Sequence, residues 1–234
     1  MEVASELNVT GVSSVALMRL FQLSSAALPI GAFAYSQGLE QAVALGDVTD
    51  GDSATAWIRG MLQRSLLSLD VPVFARLHRA FAEGDAAAVK RWNDYLFAAR
   101  GSAELRAEER QVGSALARLL FREGVEQAEP WIAEPRVTLA TSFALASVAW
   151  SAPVAQGALS YTFAWAEAQV GAATRLIPLG QTDAQRVLGR LIEQAAGGID
   201  AALLRADDEL SSTTPGQLLL SALHETQYSR LFRS

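Results

Sequence analysis

Between Arg136 and Glu167 the chain runs for thirty residues, Val137 to Ala166, without one charged side chain. Few folds can accommodate such a segment. It is long enough to span a bilayer, yet its composition points elsewhere. Pro153, Gln156 and Gly157 interrupt its middle, hydroxyls recur at Thr138, Thr141, Ser142, Ser147, Ser151, Ser160 and Thr162, and alanine outweighs leucine. A helix buried on all sides within a soluble protein is apolar all round as well. The segment therefore predicts a helical hairpin, broken near Pro153, at the centre of an all-helical body.

The rest of the chain supplies helices to surround it. Leu17, Leu20 and Phe21 form one apolar stripe, and Tyr35, Leu39, Ala42 and Val43 another, with Gly46 as a C′ residue. Trp57, Ile58, Met61, Leu62, Leu66 and Leu69 recur at helical spacing. Asp70 then reads as an N-cap with Pro72 in the first turn of a helix through Val73, Phe74, Leu77 and Phe81. Gly84-Asp85 restarts a helix through Val89, Trp92 and Leu96. The charged run Glu104 to Arg110 reads as a solvated face, and Thr182-Asp183-Ala184-Gln185 as a capping box. Gly197-Gly198 reads as a hinge or C-cap, and all seven prolines as helix-boundary residues. No segment shows sustained two-residue alternation. The expected fold is all-α, a single compact helical domain of roughly ten helices with a C-terminal arm. Its expected organisation is a flexible N-terminus over 1–12, an all-helical body over 13–206, and a linker, short helix and partner-binding arm over 207–234.

Composition narrows the chemistry. At 234 residues the chain can bury a sizeable core, and its net charge of −6 argues against a nucleic-acid binder. There is no cysteine, so no disulfide, thiolate metal site or cysteine nucleophile is possible. With His78 and His224 the only histidines, a self-contained zinc or nickel site is not expected. Residues 1–10 lack the basic start and apolar run of a signal peptide, so the expected location is cytoplasmic. No nucleotide-binding glycine loop or nucleophile elbow occurs. His224-Glu225 begins like a zincin helix, but Tyr228 stands where the second histidine belongs. His78 reads as a surface or boundary histidine, and Glu108-Glu109 as part of the solvated run. No catalytic residue is expected.

Three polar constellations stand out. In the segment Leu20 to Glu40, a Leu28-Pro29-Ile30-Gly31 break keeps apolar and aromatic character and leads into Tyr35, Gln37 and Glu40. A backbone break of that composition packs against something. On the helix after Pro153, Glu167 is the only charge until Arg175. A buried carboxylate must be paired or hydrogen-bonded, so Glu167 is either satisfied structurally or open to an interface or cavity. Gln169 sits beside it. The terminus, His224 to Ser234, places Tyr228, Leu231 and Phe232 at i, i+3 and i+4 between Arg230 and Arg233. That pattern suits an anchor segment, seated either on its own body or on a partner.

These blocks together resemble the urease accessory protein F (UreF) family. The resemblance rests on Leu28 to Glu40 (Leu-Pro-Ile-Gly-Ala-Phe-Ala-Tyr-Ser-Gln-Gly-Leu-Glu), on Leu176 to Gln181 (Leu-Ile-Pro-Leu-Gly-Gln), and on the His224 to Ser234 terminus. Glu104-Leu105-Arg106-Ala107-Glu108-Glu109-Arg110 fits the family's mid-chain pattern. Family members often carry lysine before the Leu-Ile-Pro block, where this chain has Arg175.

The resemblance implies an all-α, non-enzymatic maturation factor. Such a factor acts with the D-type accessory protein (H in some systems) and the accessory GTPase G to insert nickel into apo-urease. It implies a homodimer, no stably bound cofactor, nickel handled by the complex, and no contact with nucleic acid or membrane. Tyr35, Gln37 and Glu40 would face a partner or line a tunnel. Arg175 would lie on the GTPase-facing or gating surface. His224, Tyr228, Arg230, Phe232 and Arg233 would form the arm that engages the D-type partner, with Glu167 and Gln169 as structural polar groups nearby. Two other functions fit the same residues: activation of the GTPase by an arginine finger from Arg175, and direct carriage of nickel.

Overall fold

The computed structural model describes residues 11–233; most of the expected flexible N-terminus, and Ser234, lie outside the described residues. Described residues 11 and 12 lead into α1 (Ser14–Leu23), which Ser13 caps by accepting from the Ala16 amide. A short 3₁₀ turn, Ala32–Ala34, precedes α2 (Leu39–Ala44). Then follow α3 (Gly51–Met61), a π-helical segment (Leu62–Asp70) and α4 (Val71–Glu83). After them come α5 (Ala86–Ala98), α6 (Ala103–Arg122), α7 (Glu129–Ile132), α8 (Leu139–Ala149), α9 (Val154–Leu176), α10 (Gln181–Leu203) and α11 (Pro215–His224). Because α3, the π segment and α4 run on as one rod, the eleven α segments make ten helical bodies, with no strand among the described residues.

The uncharged stretch is the hairpin its composition predicts. Thr138 caps α8, Ser151 turns the chain with φ of 56°, and Pro153 leads into α9. α8 packs on α4 and α6, and α9 lies along α10, α4 and α1. At the centre Phe74, Phe143 and Tyr161 pack ring on ring, with centroids 5.4 to 6.3 Å apart. Gly157 makes this crossing possible: a Cβ there would stand 2.8 Å from Ser147 Oγ and 3.0 Å from Phe74 Cζ. The serine and threonine hydroxyls of the stretch, apart from the exposed Ser151, are spent inside the protein. Ser142 donates to the Gly113 carbonyl, Thr162 to Ala158, and Ser160 to Leu20. No helix among the described residues is long and apolar enough to cross a membrane.

Four local expectations are corrected. Asp70 is not an N-cap; the backbone passes through it as helix, and its carboxylate is buried against Arg100. Pro72 follows directly on a π segment whose bonds run i→i−5, the Val71 amide donating to the Leu66 carbonyl, and stands in the first turn of α4. Thr182 does not cap α10, whose N-cap is Gly180 with no side-chain bond. Gly197 and Gly198 lie inside α10, with Gly198 against the Leu67 side chain. The run Glu104 to Arg110 is only partly solvated. Glu109 is buried, accepts from Arg100 Nε at 2.7 Å, and takes the Leu139 amide at 2.7 Å. A carboxylate that anchors a neighbouring helix start looks identical in sequence to one facing water.

Candidate functional site

The first sequence block and the terminus, almost two hundred residues apart, meet on one face. Two consecutive left-handed residues, Gln37 (φ 54°) and Gly38 (φ 88°), turn the chain from the 3₁₀ turn into α2. Gly38 is required twice over. Its φ disfavours side chains, and a Cβ there would stand 3.2 Å from the Gln217 carbonyl of α11. That close approach lays α11 across α2 and sets His224, the last residue of α11, beside Glu40.

His224 is fully buried and stands between two carboxylates. Its Nε2 lies 3.1 Å from Glu40 Oε2, and its Nδ1 lies 3.0 and 3.1 Å from the two oxygens of Glu104. Only a ring carrying hydrogen on both nitrogens donates to both acids. Arg230 Nη1 also reaches Glu104, at 3.1 Å, so this carboxylate is shared between α11 and the tail beyond it. Glu40 also organises the tail beyond it. Its oxygens accept the Leu231 amide at 2.7 Å, the Phe232 amide at 2.9 Å and Gln227 Nε2 at 3.4 Å. One carboxylate thus holds both sides of the turn after α11. The Arg233 amide then donates to the Ala34 carbonyl at 2.8 Å, fastening the tail to the 3₁₀ turn.

Phe232 is the apolar key of this seat. It is 4% exposed and joins a small core of Leu39, Ala42, Val48, Ala54, Ala172, Ala173, Ile177 and Leu220. Arg175 closes over it, with Cζ 4.3 Å from the ring centroid, and donates to the Phe33 carbonyl. Partial burial lowers the Arg175 pKa, a cost that the cation–π contact offsets. Residues outside the seat face outward: Tyr228 is fully exposed and Leu231 is 62% exposed.

Tyr35 and Gln37 link this seat to α6 and α9. Tyr35 Oη donates to Gln111 Oε1 at 2.5 Å, and Arg233 Nη1 donates to the same oxygen at 3.1 Å. Burial raises the Tyr35 pKa, opposed by its hydrogen bonding to Arg233. Gln37 accepts from Trp165 Nε1 at 2.9 Å and donates to Glu108 at 2.8 Å. Behind it lies a cavity of about 480 Å³ bounded by Gln37, Asp70, Arg100, Trp165, Glu167 and Gln169. Glu167 lines that cavity with no hydrogen-bond or ion-pair partner among the described residues, and burial raises its pKa. Gln169 is 2% exposed and its Oε1 has no hydrogen-bond partner among the described residues. Arg100, on the cavity wall, is mostly buried between Asp70 and Glu109. Desolvation alone would lower its pKa, but the two carboxylates hold it well above the usual arginine value.

Of the residues singled out in sequence, Glu40, Arg175, His224 and Phe232 are gathered into the seat. Tyr35, Gln37, Arg230 and Arg233 border it, and Glu167 and Gln169 lie in the cavity beyond. Glu40, His224 and Phe232 are buried against one another, whereas Tyr228, Leu231 and Arg230 are exposed on the arm. Glu104 and Gln111 escaped sequence reasoning although both take part. The signal for Glu104 was its place in the mid-chain pattern; nothing marked Gln111. His78 bonds Ala152 O at 2.9 Å, and burial lowers its pKa, as suits a boundary histidine.

A His between two Glu side chains resembles a metal site, but here both ring nitrogens already face carboxylate oxygens at hydrogen-bond distance. Among the described residues no group of three such side chains is arranged to hold a metal ion.

The UreF family model matches residues 48–192. Relatives extend the match nearly end to end. The urease accessory protein UreF of Alkalilimnicola ehrlichii is 46% identical over 220 residues, 94% of this chain and 96% of that protein. The chain belongs to the UreF family of urease accessory proteins. The UreF of Pseudomonas putida strain W619 is 47% identical over 222 residues, 95% of this chain and 99% of its own. That of Klebsiella pneumoniae is 42% identical over 217 residues, covering 93% and 97%. The stretch matched by the UreF model lies within the helical body and takes in Glu104 and Arg175, whereas Glu40 and the terminus fall outside it.

Proposed function

We propose that this UreF-family chain is a non-catalytic cytoplasmic adaptor for GTP-dependent nickel insertion into apo-urease. In this reading it acts as a homodimer, together with the D/H-type accessory protein and the accessory GTPase. Nickel is cargo of the complex. The observation that carries the reading is the tail seat. Glu40 and the Phe232 pocket hold the terminus in one shape, and that shape turns Tyr228, Leu231 and Arg230 outward on a fixed ridge. A pre-shaped ridge of this kind lowers the ordering cost of docking a partner.

The arginine-finger alternative is disfavoured by the use already made of Arg175. Its guanidinium is stacked on Phe232 and bonded to the Phe33 carbonyl, so it would have to give up both contacts to enter a GTPase site. Two measurements test the proposal. Co-purification with both partners should be lost when the chain ends before His224; full retention by the shortened chain overturns the arm's role. GTP hydrolysis by the GTPase should be the same with wild type and Arg175→Lys. Acceleration by wild type that Arg175→Lys abolishes establishes the finger instead.

A further inference from the structure

A row of arginines flanks the tail seat on the outer face of α6. Arg110 and Arg118 are exposed, two turns apart, with Ser114 between them and Gln111 beside them. Together with residues 132–135 they border a shallow groove. Arg233, held against Gln111 at 3.1 Å, extends the row from the tail side, and Arg230 continues it. Among the described residues Arg110, Arg118 and Arg233 form no ion pair with a carboxylate. Among the described residues the side chains of Arg110 and Arg118 make a single long hydrogen bond, from Arg118 to Ser114 Oγ at 3.4 Å. The one carboxylate in the groove, Glu134, is already engaged by the Arg136 amide and by Lys90 at 3.9 Å. On a chain of net charge −6, this is a local reversal of sign.

We infer that this face docks an acidic polypeptide segment of a protein partner. Spacing favours an extended partner over a single small anion. Eight residues of α-helix set the backbones of Arg110 and Arg118 about 12 Å apart, so both guanidiniums meet on one phosphate or one carboxylate only when the two side chains stretch fully toward each other. A chain bearing carboxylates at intervals meets each of them, and the planar guanidinium fork pairs with carboxylate through two parallel bonds. The tail seat fixes Arg233 in this row, so the face is complete only while the terminus is docked. The inference rests on the accessory-protein reading and adds to it a surface distinct from the Tyr228 ridge.

The test is co-purification of the full-length chain with the D-type protein and the GTPase, comparing wild type, R110E/R118E and R110K/R118K. Circular dichroism verifies that each variant is folded. Retention of one partner by R110E/R118E should fall at least about tenfold, with R110K/R118K retaining much of it, and raising the salt should weaken the wild-type complex. Equal retention by folded R110E/R118E overturns the inference while leaving the accessory role standing. Failure of wild type to retain either partner overturns the accessory role itself. If R110E/R118E instead loses only self-association, or if only a short RNA competes with the partner, the acidic-partner assignment is overturned.

Discussion

Replacing Glu40 by glutamine changes one atom of the tail seat and nothing of its shape. The carboxylate now serves four donors, two on each oxygen: Leu231 N and Gln227 Nε2 on one, His224 Nε2 and Phe232 N on the other. An amide keeps one oxygen and turns an NH₂ group toward the other pair. Either orientation strips one tail amide and one side-chain donor of their acceptor. Hydrogen bonds to a charged group contribute about 1.5–3 kcal/mol each, so two lost bonds remove about 3–6 kcal/mol from the docked state. The loss to global stability is capped at the free energy that holds the tail, because the tail can detach while the body stays folded. Amide hydrogen exchange reads this directly. In Glu40→Gln, protection at Leu231, Phe232 and Arg233 should fall by at least about a hundredfold, the equivalent of about 3 kcal/mol, while the α8 and α9 amides stay protected. Unchanged protection at Leu231 and Phe232 would refute the claim that Glu40 holds the tail.

Three other outcomes follow from the same geometry. Arg100→Met leaves Asp70 and Glu109 buried without a counter-charge and should destabilise the fold by about 3–5 kcal/mol, measured by urea unfolding. Glu167→Gln should raise the melting temperature at neutral pH. Burial raises the Glu167 pKa in the fold, so the native state binds its proton more tightly and stability falls as pH rises through the carboxylate range. The gain should therefore vanish as the medium becomes acidic enough to protonate Glu167, and a gain that grows on acidification contradicts the assignment. Gly38→Ala combines a strained φ with a close approach to Gln217, and should loosen α11 so that trypsin cuts at Arg230 faster than in wild type.

Much of the fold was legible because burial leaves a mark on composition. Thirty uncharged residues broken by Pro153 can hardly be anything but a buried hairpin or a membrane span, and their hydroxyls decide between the two. Gly46 and Gly84-Asp85 were readable for local reasons: each holds a conformation or a cap that depends on near neighbours only. The misread positions depend on distant partners. Asp70 has the sequence context of an N-cap, and only the approach of Arg100 from the end of α5 makes it a buried ion-pair partner. Glu109 sits in a charged run, and its burial is decided by where α8 begins. The site divides the same way. Unusual polar residues at Tyr35, Gln37, Glu40 and His224 could be noticed, but that Glu40 and His224 share one hydrogen bond follows from a fold that joins residues 184 positions apart.

The most direct test of the central claim is the nickel content of urease from cells whose only UreF-type protein is this chain, as wild type or Glu40→Gln. If the docked tail presents the surface on which maturation depends, urease from the wild-type cells is nickel-loaded and active, while that from Glu40→Gln cells accumulates as inactive apo-protein at equal accessory-protein levels. Full nickel loading with Glu40→Gln, in a protein whose tail amides exchange freely, would contradict it.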